Sequence, residues 1–126
     1  MTRKNDMSYT IQDIATFFNQ KDHIGLQKAA MSILEDDPSN LDALNALALS
    51  FRYFGESLKA KESFIKLVNS NPKKDYMYSN AGNFFFDLGH IDQALQCHNQ
   101  ALKLNPKNLN SLNQMGLVLS NRGKDE

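Results

Sequence analysis

Apolar residues recur along this chain at the spacing of amphipathic helices, and the helical stretches come in pairs. Between residues 44 and 51 they stand at i, i+3, i+4 and i+7, and between residues 60 and 68 at i, i+4, i+7 and i+8. Residues 78–85 and 94–102 repeat both stretches, with His98 in the place of an aromatic residue. The pattern therefore predicts two helical hairpins in the middle of the chain, each about 30 residues long.

The residues that break helices follow a fixed period of 34. A turn glycine ends the first helix of a hairpin, because glycine readily adopts the left-handed conformation, and a proline ends the second. The three prolines and three of the glycines keep this spacing at Pro38, Pro72 and Pro106 and at Gly55, Gly89 and Gly123. A period of 20 to 50 residues is typical of a solenoid.

Counting from the prolines divides the chain into a leader, three full repeats and a partial one. The leader, residues 1–6, is predicted to be disordered. The repeats cover residues 7–40, 41–74 and 75–108, and residues 109–126 form the first helix of a fourth. The predicted fold is an all-α, right-handed superhelical solenoid of about seven helices, with leucines and aromatics as its core.

A 34-residue helix-turn-helix with these residues resembles the tetratricopeptide repeat. The features that carry the resemblance are a small residue in the first helix, an aromatic three residues later, glycine in the turn, alanine in the second helix and a final proline. In the third repeat these are Gly82, Phe85, Gly89, Ala94 and Pro106. The resemblance covers residues 7 to 126.

The first repeat departs from this pattern. Its first helix fits best with Ile11, Ile14, Ala15 and Phe18 on the inner face, one residue later than the period requires. This register predicts a turn shortened by one residue around 20–23. An atypical first repeat is expected, because it also caps the stack.

Composition excludes several classes of protein. The chain has 126 residues, 14 basic and 14 acidic, so neither a basic nucleic-acid arm nor an acidic tail is expected. The single cysteine, Cys97, excludes a disulfide framework and fits a reducing, cytoplasmic location. No signal peptide precedes Ile11 and no apolar stretch is long enough to cross a membrane, so membrane insertion is not expected.

Catalytic, cofactor and metal signatures are not found in the sequence. It contains no glycine-rich phosphate loop, paired cysteines or HExxH motif, so no catalytic residue, cofactor or metal is expected. Cys97 and His98 are adjacent, but neighbours on a helix point about 100° apart, and His98 takes the place of a core aromatic. His23 and His90 fall in separate turns and are not expected to share a metal.

The candidate binding surface is the concave groove that the first helices line in such arrays. Asparagine and glutamine side chains both donate and accept hydrogen bonds, so they can pair with the backbone of an extended peptide. The predicted groove residues are Asn45, Leu49, Arg52, Tyr76, Asn80, Asn83, Asn110, Asn113 and Gln114. We therefore expect a non-catalytic interaction scaffold that binds an extended peptide or a partner helix, although a solvated polar helix face is the alternative for these residues.

The resemblance also allows a comparison with repeats that clamp the carboxylate tail of chaperones. That clamp would need lysine and asparagine at Asn45 and Leu49, asparagine at residue 80, and lysine and arginine at Asn110 and Gln114. Only Asn80 agrees. Without the cations a carboxylate would be desolvated unpaired, so this mode of binding is not expected.

The C-terminal part of the chain suggests two further hypotheses. Residues 109–126 lack a second helix, as expected for a segment cut from a longer protein. The alternative function is therefore a substrate-presenting segment of a larger enzyme, such as a glycosyltransferase or another transferase. The apolar stripe of Leu112, Met115 and Leu119 also predicts a weak homodimer through the terminal helix.

Overall fold

The computed structural model describes residues 8–125, with side chains through residue 120. Within this range it contains seven α-helices and no strand, which confirms the predicted all-α fold. In chain order the helices are α1 (Ile11–Asn19), α2 (His23–Asp36), α3 (Leu41–Tyr53), α4 (Ser57–Asn69), α5 (Asp75–Asp87), α6 (Ile91–Leu104) and α7 (Leu109–Asp125). The predicted leader, residues 1–6, lies outside the described residues.

The chain divides into two compact units near the end of α4. The first unit, residues 1–67, holds α1 to α3 and most of α4, and the second, residues 68–126, holds the rest. Each of the three predicted full repeats contains one helical hairpin, and α7 follows as a single helix. The repeat boundaries and the right-handed twist of the array stay predictions.

Side-chain caps start four of the helices. Thr10 and Asp13 form a capping box at α1, in which the Thr10 backbone N–H donates to Asp13 Oδ2 at 2.8 Å. Asp22, Asn40 and Asn108 each accept a hydrogen bond from the backbone N–H three residues later, at α2, α3 and α7. Each cap satisfies a backbone donor that the helix leaves unpaired.

The three turns within hairpins are alike, which corrects the expectation of a shortened first turn. Three residues separate the two helices each time, and the middle one has positive φ: 58° at Lys21, 76° at Gly55 and 80° at Gly89. In all three, a backbone N–H donates at 2.9 Å to the carbonyl five residues earlier, that of Phe17, Phe51 or Phe85. Lysine therefore takes the left-handed position that glycine takes in the other turns.

The register predicted for α1 is wrong by one residue for the same reason. Ile14 and Phe17 pack against the buried cluster of Leu26, Ala30 and Ala46, whereas Ala15 and Phe18 are exposed. Phe17 thus takes the place of Phe51 and Phe85, as a strict period of 34 requires.

Close helix packing explains two glycines. A Cβ on Gly82 would lie 2.6 to 2.9 Å from three atoms of the His98 ring, so α5 and α6 approach too closely for alanine without a shift. In the first hairpin the close approach is on α2 instead, where a Cβ on Gly25 would lie 2.7 Å from the Phe17 ring. The small residue expected on α1 is therefore supplied by α2.

Candidate functional site

A cavity of about 280 Å³ opens in the first unit, where the end of α1, the start of α2 and the end of α3 meet. We call it the α1–α3 cavity. Its lining residues are Phe18, His23, Leu26, Leu49, Arg52 and Tyr53. Two of them, Leu49 and Arg52, are predicted groove residues, so the structure places part of the predicted site at a concave feature.

Aromatic rings form one wall of the α1–α3 cavity. The rings of His23 and Tyr53 are stacked, with centroids 3.5 Å apart and planes 9° apart. Phe54 meets the Tyr53 ring edge-on, with centroids 5.2 Å apart and an interplanar angle of 83°. These contacts hold the Tyr53 ring in place although 62% of this residue is exposed.

Phe18 and His23 belong to this cavity but were not predicted as site residues. The one-residue error in the register of α1 placed Phe18 in the core, whereas the structure leaves it 56% exposed. The period of 34 applied without a shift would have found it, because it equates Phe17 with Phe51 and places Phe18 beside Arg52 in the repeat. For His23, which stacks through the turn, no sequence signal was available.

The other predicted groove residue of the first unit is largely enclosed. Asn45 is only 8% exposed and lies among the buried residues of α3, so little of its amide is presented to a ligand. Leu49 and Arg52 are half-buried. In this unit the accessible part of the predicted site is therefore the C-terminal half of α3.

In the second unit α5 presents an aromatic ring and two amides. Tyr76 is 43% exposed, with the Lys74 ammonium 6.0 Å from its ring centroid. Asn80 and Asn83 are half-buried, and the Asn83 Oδ1 atom is buried with no hydrogen-bond partner in the described part of the chain. An acceptor in this state is costly unless water or a ligand satisfies it.

Three more predicted groove residues lie on the first turns of α7. Asn113 is exposed and Gln114 half-buried. Asn110 is half-buried and donates from Nδ2 to Ser79 Oγ at 3.1 Å, so one of its donors is used to join α7 to α5. We call the second-unit set of Tyr76, Asn80, Asn83, Asn110, Asn113 and Gln114 the amide face.

A polar network holds the start of α7 against α5. Asp75 Oδ2 accepts hydrogen bonds from Nδ2 of Asn105 at 3.1 Å and of Asn108 at 2.8 Å. Burial tends to raise the pKa of Asp75, but the two asparagine amides and the backbone N–H groups of Asp75 and Tyr76 lower it below 3.8 overall. The ionised carboxylate is thus part of the network that positions the amide face.

Cys97 and His98 are packing residues in this structure. His98 is 1% exposed, and its Nδ1 lies 2.8 Å from Ser111 Oγ, while burial lowers its pKa. Burial also raises the pKa of Cys97 to about 11, so the thiol is protonated near neutral pH. A thiol in this state is a poor nucleophile, which agrees with the structural role expected for the pair.

The apolar stripe on α7 remains open on one side. Leu112 is 46% and Leu119 57% exposed, and Met115 is half-buried. A Cβ on Gly116 would meet no atom within 4 Å, although Gly82, its equivalent one repeat earlier, is tightly covered. The structure thus leaves the predicted self-association residues at least partly accessible.

Two further observations concern metals and membranes. Among the described residues, no three histidine, cysteine, aspartate or glutamate side chains come together as metal ligands would. None of the helices in the described range is both long and apolar enough to pass through a bilayer.

These features define a class: a protein built from repeated helical hairpins that present side chains from their first helices. The family model described as TPR repeat matches residues 82–123. Over this stretch, a third of the chain, the sequence is similar to tetratricopeptide repeats, and the seven helices of the described residues agree with that fold. No curated protein matches the sequence.

Solved structures share the fold. The first TPR domain of human RPAP3 matches with a TM-score of 0.77 and 18% identity, over 90% of each chain. The first TPR of Spaghetti (RPAP3), solved with the HSP90 peptide SRMEEVD, matches with a TM-score of 0.76 and 17% identity, over 93% of this chain and 98% of that one. A mutant O-GlcNAc transferase of Thermobaculum terrenum matches with a TM-score of 0.71 and 21% identity, over 78% of this chain but 19% of that one.

Proposed function

We propose that this protein is a non-catalytic scaffold that binds an extended peptide or a helix of a protein partner. The observation that carries the proposal is that the two helix stretches that form the amide face contain no charged residue. No lysine, arginine, aspartate or glutamate occurs in residues 76–86 of α5 or residues 109–120 of α7. Such a surface suits a ligand recognised through its backbone, because each peptide unit offers one donor and one acceptor and amides can satisfy both.

The accessible amides are the ones that would contact the ligand. Asn113 is exposed, and Asn80, Asn83 and Gln114 are half-buried. Asn45 and Asn110 contribute less, because one is buried and the other is bonded to Ser79.

Binding to a chaperone tail through a carboxylate clamp is not part of this proposal. The solved complex of Spaghetti with an HSP90 peptide shows the fold in use for a peptide. This chain, however, has Asn45, Asn110 and Gln114 at the three clamp places that need lysine or arginine, and none of them carries a positive charge. A cytoplasmic location remains part of the proposal, supported by the single cysteine.

The experiment replaces two amides of the face at once. Peptides of 12 residues are selected on the unmodified protein from a displayed library, and their affinities are measured by fluorescence anisotropy. The double variant Asn80→Ala, Asn83→Ala should bind them about 5- to 150-fold more weakly, because each lost hydrogen bond is worth about 0.5–1.5 kcal/mol. Asn99→Ala, an exposed asparagine of α6, is the matched control and should bind normally.

Substitutions on α6 also show which result would contradict the proposal. If the double variant binds as well as the unmodified protein, while substitutions of exposed α6 residues such as Gln96 and Asn99 weaken binding, the amide face is not the binding site. Circular dichroism of each variant must show unchanged helicity, so that loss of binding is not loss of fold.

A second candidate is a repeat segment that presents substrate to the catalytic domain of a larger enzyme. The match to O-GlcNAc transferase favours it, since the matched region is 19% of that enzyme's chain. Reading the gene beyond the codon for Glu126 tests this candidate. A transferase domain in the same reading frame would support it, and a stop codon would leave the scaffold proposal.

The proposal includes weak self-association through α7. Leu112 and Leu119 are about half exposed, and the space over Gly116 is open. The stretch from 109 to 120 carries no charge, so two copies would not repel each other there. Sedimentation should show a dimer growing at high micromolar concentration and diminishing in Leu112→Lys, whereas a pure monomer at that concentration would refute it.

A further inference from the structure

The α1–α3 cavity has the features of a receptor for a single side chain. We infer that it takes one large apolar side chain, leucine or phenylalanine in size, from a partner segment that carries a carboxylate next to that side chain. The inference rests on the proposed function, because its ligand is also a segment of a protein partner. It concerns the first unit alone.

The size and floor of the cavity match such a side chain. A space of about 150 Å³ is enough for a benzene ring, so about 280 Å³ holds one aromatic or branched aliphatic group. Leu26, 1% exposed, and Leu49, half-buried, provide apolar contact. A side chain that enters would exchange water for apolar surroundings.

The Tyr53 wall of the cavity is held in place by other rings. Stacking on His23 at 3.5 Å fixes the Tyr53 ring, and the edge contact with Phe54 supports the same ring from another direction. Phe18 and Tyr53 still expose more than half of their surface. Because an aromatic ring has few rotatable bonds and the Tyr53 ring is already held, binding against that ring would cost little conformational entropy.

The charge of the lining residues indicates which charged group the ligand carries beside its apolar side chain. Arg52 is the only one of the six lining residues with a permanent positive charge, and no acidic residue is among them. Its guanidinium has five N–H donors, more than one partner can use, so it can bind a ligand carboxylate in addition to its contacts within the protein. Electrostatic complementarity therefore favours an acidic group beside the anchor.

Small molecules that carry one side chain and one carboxylate test the inference directly. N-acetyl-L-phenylalanine and N-acetyl-L-leucine are titrated into the ¹⁵N-labelled full chain, and amide chemical shifts are followed by NMR. We expect millimolar binding, with the shifts centred on α1 to α3 around Phe18, His23 and Tyr53. N-acetylglycine should bind at least tenfold more weakly, and N-acetyl-L-phenylalaninamide, which lacks the carboxylate, about three- to tenfold more weakly.

Variants separate this cavity from other apolar surface. Phe18→Ser removes one wall at an exposed position and should weaken binding of N-acetyl-L-phenylalanine about fivefold or more. Leu58→Ser is the matched control, since Leu58 is 80% exposed on α4 and does not line the cavity. Arg52→Gln should remove the preference for the carboxylate over the amide, and equal binding of the two by the unmodified protein would overturn the role of charge.

Binding of the test molecules at a second cavity of the first unit would contradict the inference. This cavity has about 380 Å³, and its lining residues are Leu34, Pro38, Leu44, Leu47, Glu62, Ser63 and Lys66. Shifts centred there, or equal effects of Phe18→Ser and Leu58→Ser, would overturn the inference.

Library peptides distinguish the failure of this inference from that of the proposed function. If their affinity falls with Asn80→Ala, Asn83→Ala but not with Phe18→Ser, the scaffold proposal stands and the cavity assignment is wrong. If it falls only with Phe18→Ser, the cavity stands and the amide face is wrong.

Discussion

Two glycines at the same place in successive repeats should respond oppositely to the same substitution. Gly82 on α5 and Gly116 on α7 lie 34 residues apart in the helical pattern. A Cβ on Gly82 would lie 2.6 Å from Nε2, 2.7 Å from Cδ2 and 2.9 Å from Cε1 of His98, whereas a Cβ on Gly116 would meet nothing within 4 Å. Gly82→Ala should therefore destabilise the protein, and Gly116→Ala should stabilise it.

The magnitudes follow from two opposing effects. Alanine in a helix is favoured over glycine by about 1 kcal/mol, and this gain applies to both sites. At Gly82 the imidazole must move away, and overpacking of this kind costs about 1–3 kcal/mol. The ring is also held by Ser111 at 2.8 Å, so its movement strains or breaks a hydrogen bond worth about 1 kcal/mol. The expected net loss is about 1–3 kcal/mol for Gly82→Ala, against a gain of about 1 kcal/mol for Gly116→Ala.

Urea denaturation followed by circular dichroism measures the difference between these two variants. Because repeat proteins need not unfold in one step, native-state hydrogen exchange of the α5 to α7 amides should accompany it. The double variant Gly82→Ala, His98→Ala provides the control, because removing the ring removes the clash. It should lose less stability than the two single changes added together.

One result would refute the reasoning outright. If Gly82→Ala were as stabilising as Gly116→Ala, α5 and α6 would not approach as closely as the structure shows. Destabilisation by both substitutions would instead mean that another surface already covers Gly116 in solution, as the proposed self-association requires, and the effect at Gly116 should then vary with protein concentration.

Three other predictions use the turn, the network and the cysteine. Lys21→Gly should raise the free energy of unfolding by about 0.5–1 kcal/mol, as urea denaturation would measure. A residue with a side chain at φ 58° costs about 1–2 kcal/mol that glycine avoids, and the extra flexibility of glycine in the unfolded chain offsets part of this gain. Gly55→Lys should lower the free energy of unfolding for the same reason. The pKa of Asp75 is lowered in the folded state, so the stability that its carboxylate contributes is complete above pH 3.8 and is lost as pH falls through the lower folded pKa. Urea denaturation between about pH 5 and 3 should therefore show a smaller loss of stability in Asp75→Asn than in the unmodified protein. Cys97, whose pKa is raised to about 11, should react with a disulfide reagent much more slowly in the native than in the urea-unfolded protein, and equal absorbance traces would contradict its burial.

Sequence periodicity was sufficient for the fold because proline and glycine stop helices for local reasons. Gly55 and Gly89 occupy the positive-φ positions of their turns, as the spacing indicates. The first repeat was harder because Phe17 and Phe18 are adjacent, so two registers give nearly equally amphipathic helices. The turn decides between them, and its left-handed residue is Lys21, which is not a residue typical of that conformation.

The candidate site was less predictable than the fold, because composition does not reveal which amides the protein uses itself. Asn110 bonds to Ser79 and Asn45 is buried, yet in the sequence both look the same as the exposed Asn113. The α1–α3 cavity needs the backbone of a turn to bring His23 onto Tyr53. Such contacts depend on tertiary geometry, so a repeat pattern identifies the face and not the chemistry on it.

The exchange of large and small residues between paired helices limits what can cover α7. At equivalent places of the two helices, the first hairpin has Ile14 with Ala30, whereas the third has Gly82 with His98. A large side chain on one helix thus accompanies a small one on the other, since a packed interior leaves no room for two large residues and tolerates no void between two small ones.

Gly116 is small, so a surface that covers it should bring a large side chain to that place. A two-fold antiparallel pair of α7 helices meets this requirement if Leu112 of each copy lies over Gly116 of the other, with the axis near Gln114. A pair with the two Gly116 residues opposite each other would leave the space unfilled. The same volume rule that orders the hairpins therefore selects one register for the proposed dimer.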